Sequence, residues 1–316
     1  MRARGPWRAR QAAASKEKCA CSWRQFSRTA PDCTPHPHTK PWFRPRHALE
    51  HQRGRARGQG GGKMQFSANL GFLWADLPVP AAIRAAAAAG FDAVECHWPY
   101  ATDPAEIRAA CAETGLPMLG LNTMRGDVAA GENGLAALPG REGEARAAID
   151  QAIGYGAQIG ARHVHVMAGN AAGAQAHATF LANLRHACAA AAPHGLAIVI
   201  EPLNARDAPG YFLRSTAQAC AILKEVGAPN LRLMFDCYHV QITEGDLSRR
   251  LEALLPLIGH IQFAAVPDRG PPDGGEIDYA HIFAHLARLG WAQPLGAEYR
   301  PPAAPEASLG WLARWR

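Results

Sequence analysis

The amino-acid sequence predicts an α/β protein, a single (β/α)₈ TIM barrel over residues 64–316, with a disordered basic extension over residues 1–63. First, short apolar runs typical of strands recur eight times, with helical stretches between them. Second, these runs are apolar almost throughout, as in parallel sheets whose faces are covered by helices. Third, eight such units in about 250 residues favour a closed barrel over an open doubly wound sheet.

The leading segment differs sharply from the rest of the chain in charge. Residues 1–63 hold 15 Lys and Arg against 3 Asp and Glu, a net of +12, whereas residues 64–316 hold 18 against 24, a net of −6. The segment has too little apolar surface to offset the entropy of ordering. A nucleic-acid arm, a transit peptide and a true start at Met64 are its interpretations, and the abrupt change in composition favours the last. The acidic remainder predicts no nucleic-acid partner.

The elements follow one another regularly along the chain. The predicted strands span 66–70, 93–96, 118–122, 163–168, 197–201, 231–236, 260–264 and 295–299. The predicted helices span 80–89, 103–114, 141–159, 177–192, 215–226, 247–255, 279–289 and 305–315, and Asp103, Pro104 and Gly115 show the start and stop signals. The long loop 123–138 is interpreted as a lid or a disordered insertion. No Gly-x-Gly-x-x-Gly follows the first strand, so no nucleotide cofactor is expected.

The cysteines and the apolar runs bear on location. Beyond residue 63 the cysteines are scattered without paired spacing, at positions 96, 111, 188, 220 and 237. That pattern is neither a disulfide framework nor a zinc site, and it is typical of the reducing cytoplasm. No apolar run approaches the roughly 18 residues of a membrane span, so no membrane partner is expected.

Three predicted strands end in a carboxylate. Glu201 ends the fifth strand, Asp236 the sixth and Glu298 the eighth, and Gln262 lies near the same level on the seventh. Because barrel chemistry sits at the carboxyl ends of the strands, these side chains are expected to converge. Clustered carboxylates repel one another, and oxygen ligands favour Mg²⁺ or Mn²⁺ over zinc, so a divalent-metal site is predicted. Each acid alone would more often be a helix N-cap or a solvated loop residue.

The motifs around these residues resemble the hydroxypyruvate isomerase family of xylose-isomerase-like barrels. They are Ile200-Glu-Pro-Leu-Asn204, Phe235-Asp-Cys-Tyr-His239, His260-Ile-Gln-Phe-Ala264, Glu298-Tyr-Arg-Pro301, Phe66-Ser-Ala-Asn-Leu70, Val94-Glu95, Trp98-Pro-Tyr100 and Met167-Ala-Gly169. The resemblance covers Met64 to the C terminus. It implies that Glu201 and Glu298 are the proton donor and acceptor, and that Glu201, Asp236, Gln262 and Glu298 hold the metal. Related ketose epimerases carry His where Gln262 stands, and Gln is a weaker ligand.

The resemblance implies interconversion of hydroxypyruvate, a small 2-oxo acid, and tartronate semialdehyde through an enediolate. The residues expected to bind the substrate are His239, Arg300, Asn204, Glu95 and His165. Arg300 and His239 are the nearest candidates for its carboxylate, and Arg206 is a weaker one. A packed core histidine explains His165 about as well, and a loop cap is the alternative for Glu95.

Other activities stay open on the sequence alone. A 2-oxo-tetronate isomerase or a ketose 3-epimerase fits the same four positions. An endonuclease-IV-like DNA repair enzyme would need a His-rich zinc site and a basic groove, and a non-catalytic sugar-acid binder would avoid paired acids around an anion. The sequence does not determine the oligomeric state.

Overall fold

The computed structural model describes residues 63–315. The predicted extension 1–63 therefore lies outside the described residues, Lys63 apart, and its division from the barrel at Met64 stays a prediction. The described chain alternates strands and helices from β1 to α9. No helix in this part of the chain is long and apolar enough to cross a membrane.

Eight strands and nine helices make up the described chain. The strands are β1 Phe66–Asn69, β2 Ala93–Glu95, β3 Gly120–Asn122, β4 His163–His165, β5 Ala197–Ile200, β6 Leu231–Asp236, β7 Ile258–Phe263 and β8 Leu295–Ala297. The helices are α1 Val79–Ala89, α2 Pro104–Thr114, α3 Glu142–Ile159, α4 Gly173–Ala191, α5 Thr216–Val226, α6 Cys237–Thr243, α7 Leu247–Leu254, α8 Tyr279–Arg288 and α9 Gly310–Arg314. Short 3₁₀ turns cover Ala192–His194, Leu255–Leu257 and Pro305–Ser308.

The sheet closes into a barrel, as predicted. Its strands lie in the order β2-β1-β8-β7-β6-β5-β4-β3, and all the paired neighbours are parallel. The two ends of that order meet where Leu119 N–H donates to Val94 O at 2.7 Å and Cys96 N–H donates to Gly120 O at 3.0 Å. These bonds leave no open sheet edge at β2 and β3, which confirms the (β/α)₈ architecture.

Two helical predictions need correction. Helix α6 begins directly after Asp236 and was not predicted; it forms because the Asp236 carboxylate accepts a hydrogen bond from Tyr238 N–H at 2.9 Å, an N-cap. The continuous helix predicted over 305–315 is instead a 3₁₀ turn followed by the short α9. The Ser308 hydroxyl donates to Pro305 O at 2.7 Å, a local bond that competes with the helical ladder.

The barrel has an apolar outer layer and a polar interior. Outside the sheet, Phe66 packs edge-on against Phe263, Phe283 and Trp311, at centroid separations of 5.1–5.9 Å. Inside it, buried Glu95, His163, His260 and Gln262 replace the usual branched apolar side chains.

Glycines make room for these interior side chains. A Cβ on Gly120 would lie 2.1 Å from His163 Nε2, and a Cβ on Gly296 would lie 2.7 Å from Glu95 Oε1. Two backbone positions without side chains therefore allow large polar groups to fill the centre of the barrel.

Candidate active site

The structure brings the three predicted carboxylates together at the carboxyl ends of the strands. Glu201 follows β5 directly, Asp236 is the last residue of β6, and Glu298 follows β8 directly. All three residues are buried, with 6%, 1% and 6% of their surface exposed. Because like charges so little hydrated repel strongly, the ionisation of this cluster depends on the groups around it.

Arg269 is the cation of this cluster, and the sequence analysis missed it. Its Nη2 lies 2.6 Å from Glu298 Oε2 and 3.4 Å from Asp236 Oδ2. Its guanidinium also stands over the rings of Phe72 and Tyr238, at 5.0 and 4.9 Å. Arg269 lies in the loop between β7 and α8 with a left-handed φ of 54°, so the fold of this loop delivers the side chain.

Glu298 is held as an ionised carboxylate by three donors. Besides Arg269, His97 Nε2 contacts its Oε1 at 2.9 Å, and Asn69 Nδ2 donates to the same oxygen at 3.0 Å. Burial opposes ionisation, but the charge of Arg269 and the contact with His97 outweigh it and lower the pKa of Glu298. Glu298 is therefore suited to accept a proton.

Glu201 has the opposite environment. Its Oε1 is buried without a hydrogen-bond partner among the described residues, and its Oε2 lies 3.7 Å from His165 Nδ1. Burial, followed by the charges of Glu298 and Asp236, raises the pKa of Glu201 well above its usual range. Glu201 is therefore suited to carry a proton.

Asp236 lies between these two extremes. Its Oδ1 caps helix α6, and its Oδ2 faces Arg269. Burial raises the pKa of Asp236, Arg269 opposes that shift, and the resulting value is about 7. The carboxylate therefore titrates near neutral pH.

Glu95 lies inside the barrel within a dense hydrogen-bond network. Its Oε2 contacts His260 Nε2 at 2.6 Å, and its Oε1 accepts from Gln262 Nε2 at 2.8 Å and from Asn69 Nδ2 at 3.0 Å. Burial opposes ionisation of Glu95, but His260 and the bond from Gln262 outweigh it and lower its pKa to about 2. These partners already engage both oxygens of Glu95, and its expected contact with the substrate stays a prediction.

His239 and Asn204 form a second pair at the rim of the carboxylates. Asn204 N–H donates to His239 Nδ1 at 3.1 Å, and burial lowers the pKa of His239 well below its usual range. A second donor, Arg269 Nη1, lies 3.2 Å from His239 Nε2. His239 Nε2 also lies 3.6 Å from Asp236 Oδ2 and 3.9 Å from Glu201 Oε1. His239 thus lies between Arg269 and the carboxylates, with a donor facing each ring nitrogen.

His165 ends β4 with its side chain inside the barrel. Burial lowers its pKa to about 4, and its Nε2 is buried with no partner among the described residues. His165 is therefore a neutral group beside Glu201, and one of its ring nitrogens is available to a bound molecule.

Two predicted cations do not join the cluster. Arg300 is exposed, and its backbone N–H donates to Arg269 O at 2.7 Å. Arg206 is also exposed and donates from Nη1 to Pro267 O at 3.4 Å. In the structure Arg269, not Arg300, contacts the carboxylates, and a role of Arg300 at the substrate carboxylate stays a prediction.

The chemistry of the donors fits a divalent cation only in part. Donor atoms of Glu201, Asp236 and His239 all lie within 4.8 Å of one another. Glu201 Oε1 and Gln262 Oε1 are buried and have no partner among the described residues, as ligand oxygens would be. Glu298 is engaged by Arg269, His97 and Asn69, and His239 Nε2 lies 3.2 Å from Arg269 Nη1. Glu201 and Asp236 are thus the residues that fit a divalent cation best, with His239 beside them, and Gln262 stays a predicted ligand.

The predicted lid loop is tied to the site by aromatic contacts. Trp98 Nε1 donates to Thr123 O at 3.0 Å, and the Arg125 guanidinium stands 4.0 Å from the centre of the Trp98 ring. Residues Leu135, Ala136 and Ala137 at the end of the loop are buried. The exposed part is the middle of the loop, residues 127–131, and its movement stays a prediction.

Three functional side chains escaped the sequence analysis: Asn69, His97 and Arg269. Asn69 ends β1 and His97 follows β2, so the rule that strand ends carry the chemistry would have found both. Arg269 follows a strand by six residues, and no spacing rule indicates it.

Comparisons with known proteins agree with this geometry. The chain matches the family described as xylose isomerase-like TIM barrel over residues 83–315. A 2-oxo-tetronate isomerase of Cupriavidus necator is 47% identical over 252 residues, which cover 78% of this chain and 97% of the relative. The hydroxypyruvate isomerase of Escherichia coli K12 is 36% identical over 257 residues, covering 80% of this chain and 100% of the relative.

A solved structure is also similar. The crystal structure of AP endonuclease, family 2, from Brucella melitensis has a TM-score of 0.77 and 38% identity, and the match covers 80% of this chain and 99% of that one. The isomerase relatives confirm the predicted enzyme class, and the barrel confirms the predicted fold. The chain belongs to the xylose isomerase-like TIM barrel family.

Proposed function

We propose that this protein interconverts hydroxypyruvate and tartronate semialdehyde by proton transfer between Glu298 and Glu201. The observation that supports this most is the opposite pKa shift of the two buried glutamates, lowered for Glu298 and raised for Glu201. A pair of carboxylates held in different protonation states supplies a base and an acid at the same pH. Isomerisation of a 2-oxo acid to an aldehyde needs both.

The reaction from hydroxypyruvate proceeds through an enediolate. Glu298 takes a proton from the hydroxymethyl carbon C3, and the electron pair of that bond forms a double bond between C3 and C2. Glu201 gives its proton to C2, and the proton on the C3 oxygen moves to the C2 oxygen. The product carries its aldehyde at C3. One proton has left Glu201 and one has reached Glu298, so the pair resets by exchanging a proton before the next turnover.

Arg269 and His239 are proposed to orient the substrate. The Arg269 guanidinium keeps Glu298 ionised through Nη2, and its Nη1, which lies 3.2 Å from His239 Nε2, is proposed to pair with the substrate carboxylate. His239 is proposed to lie beside the C2 oxygen, where charge develops in the enediolate. His165 lies beside Glu201 and offers a second neutral contact.

A divalent cation is part of the proposal in a limited form. Glu201, Asp236 and Gln262 would hold it, with Mg²⁺ and Mn²⁺ favoured by their oxygen donors. Such an ion supplies electrostatic stabilisation to developing negative charge on the substrate oxygens.

The scattered cysteines support a cytoplasmic location, since Cys96, Cys188 and Cys237 are buried free thiols.

A four-carbon substrate is the second candidate. The relative with 47% identity is named a 2-oxo-tetronate isomerase, and the same proton pair would move the carbonyl of such an acid from C2 to C3. Ratios of kcat/KM for hydroxypyruvate and 2-oxo-tetronate, followed by proton NMR, separate the two candidates. Higher kcat/KM for hydroxypyruvate supports the proposal, and higher kcat/KM for the four-carbon acid reassigns the substrate.

DNA repair is a third candidate because a similar structure is named an AP endonuclease. The net charge of −6 over residues 64–316 opposes binding to a DNA backbone. Incubation with an abasic oligonucleotide tests this activity directly. We expect no strand cleavage, and cleavage at rates comparable to isomerisation would contradict the proposed function.

A further inference from the structure

A large cavity opens at the opposite end of the barrel from the carboxylates. Its volume is about 820 Å³, within the range of small-molecule sites. Its walls come from the residues at the amino-terminal ends of the strands, such as Leu119 before β3, Leu196 before β5 and Pro294 before β8. We call this space the amino-terminal cavity. The proposed isomerase reaction makes no use of it.

The amino-terminal cavity is strongly cationic. Among the described residues that line it, Arg162, Arg185 and Arg232 are arginines and none is an aspartate or glutamate. Each guanidinium is fixed by a neutral acceptor: Gln293 Oε1 at 3.1 Å for Arg162, Glu225 O at 3.1 Å for Arg185, and Pro256 O at 2.8 Å for Arg232. These neutral acceptors orient the three guanidinium groups but do not neutralise their positive charges.

Two further observations point to a missing anion. The Trp291 Nε1–H, in the lining of the cavity, is buried without a partner among the described residues. A buried donor of this kind is normally satisfied by an acceptor. Arg232 is half-buried, and burial lowers its pKa, so this cation loses hydration while the described lining offers it no carboxylate.

Much of the remaining described lining is apolar, although His163, Asn230, His260 and Gln293 also line the cavity. Cys188, Ala192, Leu196, Ala197 and Ile258 form much of the wall. An occupant that satisfies both surfaces has an apolar body and an anionic head group. The basic segment 1–63, with its net charge of +12, has the wrong sign for this cavity.

The barrel interior separates this cavity from the active site. His163 and His260 line its inner end with rings 4.8 Å apart, and His260 contacts Glu95 at 2.6 Å on the side of the active site. A molecule in the amino-terminal cavity therefore does not reach Glu201 or Glu298.

We propose that the amino-terminal cavity binds an organic anion, one with an apolar body and a phosphate or carboxylate head group held by Arg162, Arg185 and Arg232. The class of ligand follows from the uncompensated guanidinium groups, the unpartnered Trp291 donor and the apolar wall. Arginine forks recognise phosphate and carboxylate alike, so both head groups belong to the proposal.

Titration calorimetry with 1-naphthyl phosphate, 1-naphthoate and 1-naphthol tests the site on the full chain. We expect saturable 1:1 binding of at least one of the two anions and at least about tenfold weaker binding of the neutral 1-naphthol. The stronger of the two anions identifies the preferred head group. Equal binding of all three compounds, or saturable binding of neither anion, overturns the proposal.

Variants locate the binding. The exposed arginines allow the double substitution R162E/R185E, which should weaken the preferred anion at least about tenfold. R108E is the matched control, because Arg108 is exposed on α2 away from the cavity. W291F, which keeps an aromatic ring and removes the N–H, should weaken binding without changing the far-ultraviolet spectrum. Unchanged affinity in both R162E/R185E and W291F contradicts the assignment.

A final arm separates the cavity from the active site. Binding of the preferred anion should persist in E201Q and in the presence of saturating hydroxypyruvate. Loss of binding in either condition would place the anion at the carboxylates and overturn the proposal. The result holds whichever substrate the isomerase site prefers, because hydroxypyruvate enters only as a competitor.

Discussion

Substitution of Arg269 tests whether this residue, and not Arg300, controls the catalytic carboxylates. In R269Q the guanidinium that lies 2.6 Å from Glu298 Oε2 and 3.4 Å from Asp236 Oδ2 is lost, while a polar side chain remains. Breaking a buried ion pair on one side costs about 3–5 kcal/mol. If the larger part of that energy is expressed in the reaction, kcat/KM falls by about 10² to 10³-fold.

R300Q is the matched control for this experiment. Both arginines are connected through the backbone bond from Arg300 N–H to Arg269 O, but the side chain of Arg300 is exposed. Exposed charges contribute about 0–1 kcal/mol to an interaction, so R300Q should retain kcat/KM within about fivefold. The assay is hydroxypyruvate isomerisation followed by NMR.

The pH profile of R269Q gives the sign of the effect. Arg269 favours the ionised form of Glu298 and so lowers its pKa. Loss of the cation raises that pKa, and a general base acts only when ionised, so the acidic limb of kcat/KM moves to higher pH by at least about one unit. An R269Q profile that overlays the wild type, or an R300Q loss as large as that of R269Q, would refute this reasoning.

Three other predictions follow from the cluster and the barrel interior. The pKa of Glu95, about 2 when folded against 4.5 for the free group, means that its stabilisation is complete above pH 4.5 and is lost as pH falls toward 2. Between pH 4.5 and pH 2 the free energy of unfolding, measured with urea, should therefore fall by about 3 kcal/mol more in wild type than in E95Q. The same dependence of that free energy on pH in both proteins would contradict this prediction. G296A should lower the free energy of unfolding by about 1–3 kcal/mol because its Cβ would lie 2.7 Å from Glu95 Oε1, whereas the control G154A has nothing within 4 Å and should not destabilise. Mn²⁺ affinity, measured by calorimetry after chelation, should rise with pH through about 7 as Asp236 loses its proton, and a pH-independent affinity would remove Asp236 from the ligand set.

The architecture was predictable because local signals agree with one another along the chain. Helix α2 is capped by Asp103 before its first residue and by Gly115 after its last, both predicted directly from the sequence, and the strands recur between such signals. Helix α6 was not predicted because its N-cap, Asp236, is also the last residue of a strand and a predicted site residue. One side chain therefore serves both elements.

The candidate site was predictable only where a strand end fixes the side chain. Glu201, Asp236 and Glu298 follow that rule, and the structure places them together. Arg300 was expected beside them because it is two residues from Glu298. Strand β8 ends at Ala297, however, so the alternation of side chains no longer determines where Arg300 points.

Arg269 and Glu95 show what sequence patterns leave out. The position of Arg269 depends on a loop whose conformation is fixed by contacts with other elements, among them the bond from Arg300 N–H. Glu95 ends a strand as the site acids do, but partners from distant strands, His260 and Gln262, engage it inside the barrel. The sequence does not indicate either contact, because both form only when distant strands come together in the closed barrel.

Deuterium exchange at C3 of hydroxypyruvate tests most directly the claim that Glu298 is the base and Glu201 the acid. The measurement is proton NMR in D₂O with wild type, E298Q, E201Q and an enzyme-free control. We expect E298Q to abolish both exchange at C3 and product formation, whereas E201Q retains exchange at C3 and loses product formation. Exchange at the wild-type rate in E298Q, or loss of exchange in E201Q alone, would contradict the assignment of the two glutamates.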